Sequence, residues 1–441
     1  MKKYTRWTLL YRFLRQGTFL TAKVYYKKRA ISKGNTWPDK RPIIWAPNHQ
    51  NAFLDGINLS LLTKENPHQI VRGDVFGNKF LDMILNAAHL MPIYRKNDGI
   101  TAVKKNDVIM QKCYDLLGVN ESIVIYPEGK FAPRKKLFAL QKGIIRLAFN
   151  TALEHGFDCG LIVWPIGINY GDPNKYRTTV YYNLGEAIEI KDYEKAYIDD
   201  PKKAERDLLN VIRERMSAVM IDIQEDDIYK DLDFLREIYS YQSGRFPDLM
   251  TQFDKGKRLT EKVQEEYRSS PESVEELLLD ASKYQKLLKR INMKDWVIKN
   301  EKKMSFVLFL KLVGLLLLSP LFFASMALNS PPFYFAKWIA DEKIRDFQFK
   351  SSGRFAAGDF AFLFWYIIIG TLGFIFLPIT YAFLLIPVAF LLINFSERFL
   401  RPNWKKVLGR LRFNFNKHKE DFKEAISLKE KIYNELEKLL A

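Results

Sequence analysis

The sequence predicts an α/β domain on a largely parallel or mixed sheet with flanking helices. A helical segment and C-terminal transmembrane or re-entrant helices complete the chain. Three observations carry this. Short apolar runs alternate with helical periodicity from Arg41 to Ile190, the pattern of strands connected through helices. Residues 196–303 have amphipathic helical periodicity and no strand pattern. Long apolar runs begin only after Met304, so the mean hydropathy of −0.20 averages a soluble part with a membrane part.

Residues 2–29 carry nine Lys or Arg and no acid. Trp7, Leu10, Tyr11 and Leu14 fall on one helical face, with Leu9, Phe13 and Leu20 beside it. Residues 1–35 therefore read as a basic amphipathic helix lying on an anionic bilayer. The alternative is a first helix that packs on the domain. Arg6, Arg12 and Arg15 interrupt what would be the apolar core of a secretory signal.

The α/β domain is expected over 36–195. "RPIIWAPN" precedes a helix from about Ala52, and "HQIVRGD" precedes the helical "FGNKFLDMILNAAH". "LMPIYR" leads into a helix from about Thr101, and "SIVIYPEG" comes before "LQKGIIRLAFNTALEHG". "LIVWPIGINY" and "TTVYYNLGEAIEI" close the series. His49, Arg95 and Glu128 each follow a strand-like run, so they converge where such sheets place their sites, at the carboxyl ends of strands.

The segment 196–303 reads as several helices broken at Pro247 and Pro271. The membrane region is expected over 304–395. Residues 306–328 are long enough to span a bilayer, whereas 360–395 as one helix would run about 54 Å. It must fold back, with Pro378 as the turning point. Lys311, near the start of the first run, snorkels. Basic residues flank each apolar run: Lys299, Lys302 and Lys303, then Lys337, Lys343, Arg345, Lys350 and Arg354, then Arg398, Arg401, Lys405 and Lys406. The positive-inside rule then has each region enter and return, with all soluble parts on the cytoplasmic side. The first region would be a re-entrant hairpin around Pro320 or Ser330-Pro331-Pro332; a single crossing is the rival. The tail, 396–441, is basic and then helical, with Ile426, Tyr433, Leu436 and Leu440 forming an apolar stripe.

A formal charge of +18 fits nucleic acid or an anionic membrane surface. Because the basic residues flank apolar runs, membrane lipid is the expected partner and nucleic acid is not. The cysteines, Cys113 and Cys159, form no C-x-x-C and no metal spacing, so neither a disulfide framework nor a metal site is expected. The sequence has no Gly-rich nucleotide loop, Walker A motif, G-x-S-x-G or H-E-x-x-H.

"IIWAPNHQNAFLDG" carries the chemistry. His49 ends an apolar run, and Asp55 follows with five residues between them. An imidazole is suited to take a hydroxyl proton near neutral pH, and a carboxylate on its other nitrogen fixes the tautomer and stabilises the imidazolium. Residues six apart lie about 240° apart around a helix. His49 is therefore expected in a turn, Asp55 in the first turns of the next helix and Asn51 near its N-cap. No serine or cysteine nucleophile sits in the block, and the N–H groups at the helix start are candidate oxyanion donors. Lys142 and Arg146 read as a solvated face. His68, His89, His155 and His418, without visible partners in the sequence, read as structural.

"NHQNAFLD", "PIYR", "YPEG" and "VWPIGINY", in that order, resemble the four motifs of the phospholipid and glycerol acyltransferase family, over about Arg41 to Ile190. The resemblance implies an acyltransferase-type mixed sheet and esterification of glycerol phosphate or its lysolipid derivatives. His49 is then the base, Asp55 orients it, and Arg95, Glu128 and Gly129 hold the acceptor phosphate. It also implies an acyl-CoA or acyl carrier protein donor, no cofactor, and an integral membrane enzyme. Two departures stand out. The family usually has four residues between His and Asp; the gap of five is similar to fungal-type glycerol-3-phosphate and dihydroxyacetone-phosphate acyltransferases. The third motif usually continues Thr-Arg-Ser, whereas Lys130, Phe131 and Ala132 stand here, leaving Lys130 or Arg134 to replace the arginine. Competing readings are another lysophospholipid or aminolipid acceptor, and a non-catalytic membrane anchor with a degenerate domain.

Overall fold

In the computed structural model, residues 9–32, 40–63, 67–95, 100–241, 248–298 and 306–440 are described. Arg6, Trp7, Pro247, Lys299, Lys302, Lys303 and Met304, which entered the readings above, lie outside them.

The chain starts with α1 (Leu9–Tyr25) and β1 (Lys28–Ile31). Then β2 (Ile43–Pro47), α2 (Ala52–Leu62), β3 (His68–Arg72), α3 (Lys79–Ala87) and β4 (Leu90–Ile93) follow. Next come α4 (Ile100–Gly118), β5 (Ser122–Val124), α5 (Gly143–His155), β6 (Ile162–Tyr170), β7 (Thr179–Leu184) and β8 (Ile188–Glu189). One mixed sheet has the order β1-β7-β6-β2-β5-β3-β4, with β8 also pairing β6. β6 runs antiparallel to β7 and β8, and the other pairs are parallel. Each strand expected from the sequence is present. β1 is an addition: Lys28–Ile31 pairs β7, so the sheet begins inside the stretch assigned to the N-terminal helix.

Strand side chains alternate between faces, and the two cores follow. Ile44, Ala46 and Val163 pack with Leu116 of α4 and Leu147 of α5. Ile43, Trp45, Ile162 and Trp164 pack on the other face with Ala22 and Tyr25 of α1 and Leu54 and Leu59 of α2. All of β2 is buried, as expected for a central strand covered on both faces. Gly167 of β6 lies against Val219, whose carbonyl leaves no space for a Cβ.

α1 packs on the domain while leaving Leu9 and Phe13 exposed. Tyr11 is buried and stacks on His89, which stacks on His68. Burial, then the neighbouring His89, pushes the His68 pKa down to about 3, so it is a neutral structural histidine. His89 and His155 also have partners, the latter at Tyr114 O.

After α6 (Glu194–Asp199) and α7 (Pro201–Ala218) come α8 (Tyr229–Tyr241), α9 (Leu249–Ser269) and α10 (Glu272–Arg290), with Pro271 at the α10 N-cap. The tail helix α16 (Glu420–Leu440) joins these helices, burying Phe422, Ile432 and Leu436 in their core. The segments 196–303 and 396–441 thus share one core.

The membrane region comprises α11 (Phe306–Leu317), α12 (Ser319–Trp338), α13 (Lys350–Phe376) and α14 (Ile379–Phe395), continued by α15 (Arg401–Asn416). Helices 347–376 and 379–416 are long and apolar enough to cross a membrane. Pro378 sits between them at the α14 N-cap, as expected, and Gly370 and Gly373 admit Ile386 and Leu385. Pro320 lies in the first turn of α12, where a missing N–H does no harm, and α12 runs unbroken through Pro331 and Pro332. The bend is 44°, between α11 and α12, beside Pro320, one of the two turning points expected, and not at Pro331-Pro332. α11 packs on α15, and the last turns of α12 meet Tyr176 and Arg401.

Candidate active site

The parallel strands β2, β5 and β4 end on one side of the sheet, and the three motif residues follow them. His49 stands in the turn after β2, with Asp55 in the first turn of α2. His49 Nδ1 lies 2.8 Å from Asp55 Oδ2. That oxygen also accepts from the backbone N–H groups of Gln50 and Asn51 at 2.8 and 2.7 Å, and Tyr170 Oη donates to Oδ1 at 2.7 Å. Asp55 is fully buried, and donors converge on both oxygens. A carboxylate only accepts, so Nδ1 carries the proton and the lone pair lies on Nε2. Burial, and then the Asp55 charge, holds the Tyr170 pKa well above the usual phenol range, so Tyr170 remains a donor. Asn58 Nδ2 donates to both Tyr170 Oη and Tyr26 Oη, fixing them beneath the carboxylate.

The five-residue gap has a visible consequence. Asn51 occupies the N-cap of α2, but its side chain makes no cap bond. The next residue, Ala52, has φ of +25°. The Gln50 and Asn51 N–H groups are both bonded to Asp55. Asn48 extends the sheet past the end of β2: its side chain accepts from Ile168 N at 2.6 Å and donates to Ile168 O at 3.3 Å.

Glu128 is buried, and each oxygen takes a backbone amide: Oε1 from His49 at 2.9 Å and Oε2 from Phe138 at 3.0 Å. Both carboxylate oxygens are thus committed to loop amides. Burial above all, opposed by those two hydrogen bonds, pushes the Glu128 pKa up to about 7; Asp55 and Asp222 add to the rise. Gly129 turns the chain at φ of +64°, where a side chain would be strained and would meet Gln141. Arg95 Nη2 donates to Gly129 O at 3.1 Å, joining the second and third motifs. Lys130 lies over the Phe138 ring.

Arg134 is held elsewhere. It pairs with Asp226 at 2.7 Å and stacks on Tyr229, tying the loop to the helical segment. Of the two cations considered as replacements for the missing arginine, Lys130 is the one next to Gly129. Lys142 and Arg146 are exposed, as expected. The His49 ring stacks on Tyr126 at 4.0 Å and leans on Phe131 at 5.4 Å, and its side chain is 16% exposed. A three-carboxylate cluster at Glu276, Asp280 and Glu435 lies on the helical layer and is bridged by Lys431.

A buried carboxylate thus lies behind a partly open histidine at the strand ends of a mixed sheet. The acyltransferase domain family matches residues 28–169, and the glycerol-3-phosphate acyltransferase 2 C-terminal domain family matches residues 234–415. Together these matches support the phospholipid/glycerol acyltransferase family for this chain. It is similar to glycerol-3-phosphate O-acyltransferase 1 of Saccharomyces cerevisiae, 28% identical over 283 residues, which cover 62% of this chain and 36% of the relative. An uncharacterized acyltransferase of Schizosaccharomyces pombe is 25% identical over 119 residues, 26% of this chain and 18% of that one. The matches therefore span about a third of the Saccharomyces cerevisiae relative and less of the second. The crystal structure of the 1-acyl-sn-glycerophosphate acyltransferase from Thermotoga maritima aligns with a TM-score of 0.33 and 15% identity, covering 47% of this chain and 79% of that one.

Proposed function

We propose that this chain transfers a fatty acyl group from a thioester donor, acyl-CoA or acyl carrier protein, to a hydroxyl of glycerol-3-phosphate or of 1-acyl-glycerol-3-phosphate. The observation that carries the reading is the His49–Asp55 pair, 2.8 Å apart with the carboxylate buried. His49 Nε2 takes the acceptor's hydroxyl proton as its oxygen attacks the thioester carbonyl. The tetrahedral intermediate then expels the thiolate, which recovers the proton from the imidazolium. Asp55 stabilises that imidazolium, and Tyr170 holds Asp55. Glu128 fixes the His49 backbone, and Arg95, Gly129 and Lys130 form the cradle for the acceptor phosphate. No further cofactor is needed for these steps.

Glycerol-3-phosphate is proposed as the preferred acceptor. The five-residue gap, the absent arginine after Gly129, and the names of the Saccharomyces cerevisiae relative and of the C-terminal family support this choice. Purified protein assayed in parallel with glycerol-3-phosphate and lysophosphatidate, each with both donors, tests it. A lysophosphatidate kcat/KM more than about tenfold higher, equivalent to about 1.4 kcal/mol in transition-state binding, would reverse the preference. In the same assay Arg95→Ala should chiefly raise the acceptor KM, since a charged hydrogen bond contributes about 1.5–3 kcal/mol; an unchanged KM removes Arg95 from the cradle. No detectable ester product from any acceptor would favour the anchoring role.

The catalytic domain is proposed to face the cytoplasm. The basic residues on both sides of the α13–α14 pair support this. With Cys113 and Cys159 replaced by serine and Arg345→Cys introduced, an impermeant maleimide should label only permeabilised cells. Labelling of intact cells would place the domain outside.

A further inference from the structure

The turn that carries His49 is also held by the membrane region. Ser351 Oγ, in the first turn of α13, donates to Asn51 Oδ1 at 2.9 Å, and the two residues are 3% and 2% exposed. Asn51 donates its side-chain amide to Pro173 O and its backbone N–H to Asp55 Oδ2. It therefore links two other parts of the fold, the start of α13 and the loop at Pro173, to the catalytic carboxylate. Ala52, next in the chain, keeps a positive φ that a residue with a Cβ holds only where its surroundings over-determine it. Ser351 is itself fixed, since Tyr25 Oη donates to its carbonyl at 3.2 Å. Just before it, Phe349 packs edge-on to Phe131 at 4.9 Å and near Phe53 at 6.5 Å. Phe131 leans on the His49 ring. The start of α13 thus meets the His–Asp turn from both flanks.

We propose that Ser351 is a positioning residue for the reaction. By holding Asn51 it keeps the strained turn, and with it the His49–Asp55 pair, in register. Acyl transfer thereby depends on the docking of the α13–α14 hairpin against the acyltransferase domain. This inference rests on the function proposed above. Removing the hydroxyl leaves Asn51 Oδ1 a buried acceptor without that donor and lets the turn relax from its positive φ. The imidazole then loses alignment while the acceptor cradle at Arg95 and Gly129 is untouched.

The test uses the full-length protein with Ser351→Ala, Ser351→Val and Ser351→Thr. Val and Thr have the same shape, so a difference between them reports the hydroxyl. In Ala and Val, kcat should fall about tenfold with acceptor KM within about twofold, the scale of one hydrogen bond; Thr should stay near wild type. A second readout needs no turnover: the rate at which diethyl pyrocarbonate modifies His49, followed by mass spectrometry. It should rise about threefold or more in Ala and Val, the lower end of the same scale, and stay near the wild-type rate in Thr. If the wild-type chain transfers no acyl group, the functional reading fails, and His49 reactivity still decides on Ser351. Unchanged His49 reactivity in Ala, or equal reactivity in Val and Thr, overturns the proposal.

Discussion

His49→Ala should lower kcat by about 10²–10⁴, the usual contribution of a positioned general base, while the protein still inserts into membranes and melts close to wild type. The side chain is partly open, so its loss removes a base and its contacts with Tyr126 and Phe131, while the buried Asp55 keeps the Gln50 and Asn51 amides and Tyr170 Oη as donors. Asp55→Ala is a harsher change. It strips the acceptor from His49 Nδ1, from two backbone amides and from Tyr170 Oη at once. Each buried donor left unpaired costs about 1–3 kcal/mol, so stability and turnover fall together. Asp55→Asn separates the two effects. An asparagine can turn its oxygen to the His49 side and its amide to Tyr170, which keeps most bonds and removes the negative charge. Turnover should still fall by about 10²–10⁴, because the imidazolium formed during proton transfer has lost its counter-charge. Product analysis with glycerol-3-phosphate, alongside thermal melting of each variant, is the measurement. Near-normal turnover in His49→Ala would end the mechanism.

The sheet and the His–Asp turn were legible because their signals are local. Apolar runs at strand spacing and a histidine six positions before an aspartate need no distant contact to be read. The folding back at Pro378 was legible for the same reason, since a helix through it would be too long for a bilayer. β1 escaped notice because "KRAI" is short, edge-placed and half polar, and pairs with β7 across about 150 residues of chain. Glu128 was expected in the loop where it stands, but the amides it bonds there were not. Its proximity to the motif was visible, whereas which amides a carboxylate will meet depends on how two loops cross. Arg134 is a related case. Its partner Asp226 belongs to the helical segment, and no local pattern indicated that this segment docks there. Tyr170 stands in a quoted motif, yet the strand pattern alone makes it one more buried aromatic. Ser351 had no signal in the sequence, because its partner Asn51 lies 300 positions away.

Glu128→Gln should lower kcat by about 10²-fold and destabilise the fold by about 1–3 kcal/mol, although it changes only an oxygen into an amide. The glutamate gives one oxygen to His49 N and the other to Phe138 N. Glutamine has a single acceptor oxygen, so in either orientation its NH₂ faces one of those backbone donors. If His49 N is left unpaired, the imidazole shifts, and a displacement of about 1 Å is enough for a loss of that size. The pH dependence gives an independent check. The native Glu128 pKa is pushed up to about 7, mainly by burial, against about 4.3 in an unfolded chain. Between those values the native state binds more protons than the unfolded one. The stability from this group is therefore fully present below about pH 4.3 and is lost as pH rises through about 7. Glutamine does not titrate, so the stability gap between wild type and Glu128→Gln should narrow over that window, by roughly 3 kcal/mol if the whole shift is expressed. Denaturant unfolding of both proteins at pH 5, 6 and 7 would show it. A Gln variant with wild-type kcat would mean that the carboxylate does not bridge the two loops as the hydrogen bonds indicate, and a gap that stays constant with pH would mean that the two amide bonds fully offset the burial.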